Sequence, residues 1–252
     1  MAKKTAYQMH EDYKKLPSFD FRFNKLLVGA VNGLMALDRY RTGRSADPRI
    51  SRRKEQIQNP DGSAFNVIIM SSDNQQDNSP ALIYYHGGAF ALSYASLHLQ
   101  SCERYALGAN CCVIFVDYRL GPSKPFPSGF DDCYRTLEWV RENAQKLRIN
   151  VAKIAVMGDS AGGALSAGVA QKAKDNRIPL CAQTLIYPVL DNDCKTESAT
   201  QFSDTPIWNA GSNRNMWKMY LRDCDSKNPP PYAAPAHRED LTELARAYVE
   251  TA

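Results

Sequence analysis

Ser160 is the residue whose type and setting most directly suggest chemistry. It sits in Gly158-Asp159-Ser160-Ala161-Gly162, a G-x-S-x-G pentapeptide. Just before it, Ile154, Ala155, Val156 and Met157 make an apolar run of the kind that becomes a buried parallel strand. A small-residue helix is expected over 161–174. Strand, tight turn, serine and helix form the setting of a nucleophile elbow. Such a turn strains the serine backbone and leaves no room for bulk two residues to either side, which Gly158 and Gly162 satisfy. Ser160 Oγ would then project above the carboxyl end of the strand, with the first helical N–H groups aimed at developing negative charge. The chemistry this suits is acyl transfer. Alone, the pentapeptide is weak evidence, because Gly/Ser turns are common.

A second constellation strengthens it. His86-Gly87-Gly88-Ala89 follows the apolar run 81–85. A glycine-rich turn at a strand end offers bare backbone N–H groups to an oxyanion. Two such motifs, each at the carboxyl end of its own strand and in this chain order, make coincidence a poor explanation.

The elements that must hold these residues follow from patterning. Apolar runs at 81–85, 111–118, 154–157 and 182–190 alternate with expected helices at 94–109, 129–147 and 161–174. That alternation predicts an α/β fold, a doubly wound, mostly parallel sheet. Residues 52–58 and 64–71, joined by Asn59-Pro60-Asp61-Gly62, open it as an antiparallel pair. Phe23, Leu26, Leu27, Ala30, Val31 and Leu34 lie at helical spacing, predicting a helix over 21–38 that packs through one apolar stripe as a lid or flank. Residues 247–252 begin another strand.

Composition narrows the class. A chain of 252 residues, 44% hydrophobic and 23% charged, has the make-up of a globular protein. No stretch has transmembrane length, and residues 1–15 lack the apolar core of a signal peptide. Seven cysteines show no metal-ligand spacing and read as reduced packing residues of a cytoplasmic protein. No metal or other cofactor is expected. Residues 1–55 carry 13 Lys/Arg against 6 Asp/Glu, a net +7, and the rest −3. These charges are scattered, so a nucleic-acid partner is not expected; a homo-oligomer is compatible with the composition.

The segments YYHGGAF (84–90), VDYRLGPSKPFPSGFDD (116–132), VMGDSAGG (156–163), YPVLD (187–191) and PPYAAP (230–235) resemble the hormone-sensitive-lipase-like esterases of the α/β-hydrolase superfamily. The resemblance implies short- or medium-chain acyl esters as small-molecule substrates and Ser160 as nucleophile. It implies oxyanion donors at Gly88, Ala89 and Ala161, with His86, Gly87, Gly158, Asp159 and Gly162 supporting the two turns. Residues 1–50 would supply the helical N-terminal part of a cap, 51–193 the core, 194–228 a cap insertion and 229–252 the return to the core. Two positions depart from the family: Ala89 and Ser123 stand where glycine and glutamate are usual, the second implying altered loop anchoring. Phe90, Trp208 and Trp217 are candidate pocket walls, though aromatics at helical spacing are commonly plain core.

A serine nucleophile needs a base, normally a histidine oriented by a carboxylate. His86 belongs to the glycine turn; His10 and His98 read as surface or helix-face residues. Only His237 follows Ser160. Asp191 could nominally orient it, but the resemblance assigns His237 to a surface connection. In the family the acid follows the strand begun at 247, and the histidine comes later still. The expectation is therefore that this chain is the N-terminal and central part of a longer esterase, lacks the C-terminal core elements and is inactive or severely impaired by itself. Two alternatives stand: a non-catalytic small-molecule-binding protein on a hydrolase fold, and a structural role in which a partner completes the sheet.

Overall fold

The computed structural model describes residues 9–42 and 47–251; Ala252, the end of the strand expected from 247, lies outside the described residues. In chain order the elements are α1 (Glu11–Lys14), α2 (Lys25–Thr42), β1 (Ile50–Gln58), β2 (Ala64–Ser72), β3 (Ser79–Tyr85), α3 (Ser96–Gly108), β4 (Cys112–Asp117) and α4 (Ser128–Glu142). Then come α5 (Ala144–Leu147), β5 (Ile149–Asp159), α6 (Ala161–Asp175), β6 (Ala182–Ile186), α7 (Glu197–Gln201), α8 (Ala210–Tyr220), a 3₁₀ turn (Pro235–His237) and β7 (Ala247–Glu250). They build a seven-stranded sheet ordered β1-β2-β4-β3-β5-β6-β7. The β1–β2 and β2–β4 pairings are antiparallel; all the others are parallel. This is the mostly parallel α/β architecture that the alternating runs predict.

The strands alternate their side chains between two cores. Ile83, Tyr85, Ile114, Val116 and Val156 face α4 and α6, packing with Phe130, Leu137, Leu165 and Val169. Tyr84, Val113, Phe115 and Met157 face α3, packing with Leu99, Cys102 and Ala106. A strand covered on both faces needs apolar residues at successive positions, which is why 111–118 is continuous rather than alternating. Each such Ile, Val or Phe contributes about 1.5–3 kcal/mol by leaving water.

Three local expectations change. The strand expected over 182–190 stops at Ile186, because Tyr187 turns to φ 34° ahead of Pro188. The helix expected over 129–147 breaks at Asn143 into α4 and α5. The N-terminal helix starts at Lys25, so Phe23 precedes it, and its leucines do not form the packed stripe. Leu26 is 89% exposed and Leu34 67%, whereas Val28 is buried. The inner face of α2 is held largely by polar bonds to the loop after the glycine turn: Asn32 Nδ2 donates to Ala91 O at 3.1 Å, and Asn32 Oδ1 and Asp38 Oδ2 each accept at 2.8 Å, from the backbone N–H groups of Ser93 and Ser96. Helical spacing shows that a stripe exists, but not which stripe turns inward.

Candidate active site

Ser160 caps α6 at φ 52°, ψ −115°, a left-handed backbone that a residue with a side chain adopts only when its surroundings hold it. Three bonds do so: Ser160 N–H donates to Ile186 O at 2.8 Å, and Ser160 O accepts from Ala164 N–H and Val189 N–H, both at 3.2 Å. The flanking glycines are required by close approach. A Cβ on Gly162 would strike the Tyr85 carbonyl, and one on Gly158 would strike the Gly162 backbone. The turn after β5 is thereby pressed against the end of β3, where the other motif begins.

That second turn is also strained, with φ 118° at Gly88, 56° at Ala89 and 58° at Phe90. Gly88 O accepts from the N–H groups of Ala91 and Leu92 at 3.0 and 2.7 Å. Among the described residues, no acceptor takes the N–H groups of Gly88 or Ala89. Ala161 opens α6, so its N–H has no partner within the helix. His86 anchors the turn from below. It is fully buried between Tyr118 and Phe115, with ring centroids 4.4 and 5.6 Å away and near-parallel planes. Nδ1 lies 2.6 Å from Gly87 O, so the ring carries its hydrogen there and donates it. Burial pushes this imidazole down to about 4. It is a neutral structural ring and no acid–base group.

Asp159 joins the two turns. Its Oδ1 accepts from Gly87 N–H at 2.9 Å and from Tyr84 O–H at 2.8 Å, and its Oδ2 faces His98 Nε2 at 3.7 Å. Burial alone would raise this carboxyl; the His98, Tyr84 and Gly87 contacts outweigh burial and hold it below the usual carboxylate range. His98 is thus no plain helix-face residue. Nδ1 lies against the Ala95 backbone, 3.0 Å from its N and 3.3 Å from its O, which turns Nε2 toward Asp159. No local pattern could have paired His98 with Asp159, since the contact exists only once α3 has docked on the sheet.

Ser160, Gly88 and Ala89 border one cavity of about 910 Å³. Its walls come from both expected cap segments, Phe21 and Phe23 from the N-terminal part and Phe202, Ile207 and Trp208 from the insertion. The segments are tied together: Phe21 N–H donates to Ser212 Oγ at 2.8 Å, and Asn215 Nδ2 donates to Phe21 O at 3.0 Å. Of the three aromatic wall candidates, only Trp208 borders the cavity. Phe90 stacks on Tyr220 at 3.7 Å and, with Trp217, belongs to the buried core, because both rings face the body of the fold. Phe21 and Phe23 were missed, since in sequence they read as the start of a helix. Ser123, the other departure, is exposed, and its loop is held instead by Arg222 Nη1 on Pro122 O at 2.9 Å and by Phe126 N–H on Tyr220 O at 3.0 Å.

His237 and Asp191 do meet, Nε2 to Oδ1 at 3.7 Å, and Asp191 borders the cavity. Among the described residues, neither this imidazole nor that of His98 hydrogen-bonds Ser160 Oγ. Asp191, Asp193 and His237 also offer one ligand atom each within 4.8 Å of one another, although Asp193 is already held by Lys195 at 2.6 Å.

With this geometry in place, known proteins are informative. Residues 82–252 match a family model described as an alpha/beta hydrolase fold. Esterase LipI of Mycobacterium tuberculosis is 35% identical over 178 residues, covering 70% of this chain and 56% of LipI. Carboxylesterase NlhH of the same species is 39% identical over 181 residues, with the same two coverages. The chain thus spans a little over half the length of these relatives. Among solved structures, a bacterial heroin esterase superposes with a TM-score of 0.83 at 33% identity, over 94% of this chain and 76% of that one. Among the described residues, no helix is long and apolar enough to cross a membrane.

Proposed function

The chain belongs to the alpha/beta hydrolase fold family, and from that premise we propose that it carries the nucleophile and oxyanion half of a carboxylic ester hydrolase. The observation that carries this reading is Ser160 in left-handed backbone, bordering the same cavity as Gly88 and Ala89 with their unclaimed N–H groups. Ser160 Oγ attacks the ester carbonyl as its proton passes to a base. The carbonyl oxygen, now negative, is met by the N–H groups of Gly88, Ala89 and Ala161. The alcohol leaves with a proton, and water then releases the acid from the acyl-serine. Short- to medium-chain acyl groups suit the cavity, and seven thiols free of disulfides suit a reducing, cytoplasmic setting.

With no imidazole on Ser160 Oγ among the described residues, the 252-residue chain is expected to hydrolyse esters only about 10³–10⁴ above water, the residue left by an oxyanion hole and binding. The test is incorporation of an aryl fluorophosphonate, read by mass spectrometry. Slow labelling at Ser160, abolished in Ser160→Ala, supports the reading. A chain that stays unlabelled while still binding neutral esters would instead be a binding protein on a hydrolase fold.

A further inference from the structure

The cavity beside Ser160 has a one-sided charge. Among the described residues, Asp191 is the only formally charged one lining it, and no Lys, Arg or His contributes. Aromatic side chains form one part of the wall. Phe21 and Phe23 lie 4.7 Å apart between ring centroids, and Phe23 meets Trp208 edge-on at 6.5 Å. Tyr187 adds a further ring, nearly half exposed. Its phenol is raised by burial and, secondarily, by the charges of Asp159 and Glu250.

Asp191 is available to a ligand. Its side chain is 37% exposed, and both of its contacts, Asp193 N–H at 2.8 Å and His237 Nε2 at 3.7 Å, are on Oδ1. Among the described residues the nearby cations stay outside the lining: Lys195 is held by Asp193 while also feeling Asp191, and Arg214 acts on Cys194 without lining the cavity. Aromatic faces attract cations through their quadrupoles, and a carboxylate beside them supplies the counter-charge. The same surroundings penalise a carboxylate or phosphate brought in by a ligand, because among the described residues no cation lines the cavity to meet it.

We propose that this pocket selects esters bearing a tertiary or quaternary ammonium group, with Asp191 as counter-charge and Phe21, Phe23 and Trp208 as the faces that meet the cation. The proposal rests on the Ser160 cavity being the substrate site. It concerns binding, however, and is testable without turnover. Calorimetric titration of the 252-residue chain compares choline with 3,3-dimethylbutan-1-ol, its neutral isostere. Choline should bind about tenfold more tightly, the scale of one desolvated cation–aromatic contact plus a carboxylate. In Asp191→Asn the two affinities should converge to within about threefold. Choline should also slow fluorophosphonate labelling of Ser160 in proportion to its occupancy.

Equal binding of the two ligands, or a choline preference that persists in Asp191→Asn, overturns the proposal. Binding that shows the preference but does not compete with labelling puts the cation site elsewhere and overturns it too. If Ser160 takes no label at all, the hydrolase reading fails by itself. Choline quenching of tryptophan fluorescence, lost in Trp208→Phe, then decides whether the cation still sits in this cavity.

Discussion

The two sides of the sheet around Ser160 are built to different standards. On one side, β3 and β5 hold the glycine turn and the elbow, and Asp159 ties them through three partners. Tyr85, Ile83 and Val156 there are completely buried. On the other side, β6 leads to β7, where all four residues are exposed, Tyr248 at 59% and Val249 at 52%. The half of the site proposed to stabilise an oxyanion is therefore locked by buried strand residues and part-buried hydrogen bonds. For proton transfer, the described residues offer the partly exposed His237–Asp191 contact, which makes no bond to Ser160. Electrostatic preorganisation and proton transfer are separable requirements.

Substitutions probe that contrast directly. The largest effect is expected for Gly162→Ala, whose methyl group meets the Tyr85 carbonyl backbone. Thermal and urea unfolding should show a loss of about 4 kcal/mol or more, or no folded protein. Asp159→Asn should cost about 2–3 kcal/mol and slow phosphonate labelling at least tenfold, because the charge that the Gly87, Tyr84 and His98 contacts hold is removed and an amide NH2 is turned toward His98. His98→Gln should fall between Asp159→Asn and wild type in labelling rate. If Asp159→Asn labels normally, the two turns do not need their tie.

Acid should reach the braced side first. His86 has its pKa depressed to about 4 in the fold, against about 6.5 when unfolded. A depressed base binds more protons unfolded than folded, so its contribution to stability is full above about 6.5 and is lost as pH falls toward 4. Asp159, also depressed, gives up its contribution only below the ordinary carboxylate range. The melting temperature should therefore decline between pH 6.5 and 4, before Asp159 protonates; a flat profile there would contradict a buried neutral His86. The smallest effect belongs to the other edge. Val249→Ala in this chain should change stability by less than about 0.5 kcal/mol, whereas Leu185→Ala, on neighbouring β6 and only 5% exposed, should cost about 2–4 kcal/mol.

Motifs whose meaning is local were legible in the sequence. G-x-S-x-G between an apolar run and a small-residue helix predicts the elbow, since strand, turn and helix are contiguous in chain. The glycine turn at 86–89 and the antiparallel opening pair are legible for the same reason. What could not be read depends on docking. Phe21 and Phe23 reach the cavity because the segment before α2 is tied to α8, nearly two hundred residues later in the chain. The leucines of α2 face outward because Asn32 and Asp38 bond the loop after the glycine turn.

By itself the sequence determined the strand–helix alternation, the places where only glycine fits, and the serine presented at one strand end, because backbone sterics and hydrophobic periodicity act over a few residues. Only the tertiary structure decided that His98 faces Asp159, that Trp208 but not Trp217 borders the cavity, and that Asp191 is, among the described residues, the one charge lining it. Those outcomes depend on which faces meet when distant segments pack, and no spacing along the chain encodes them.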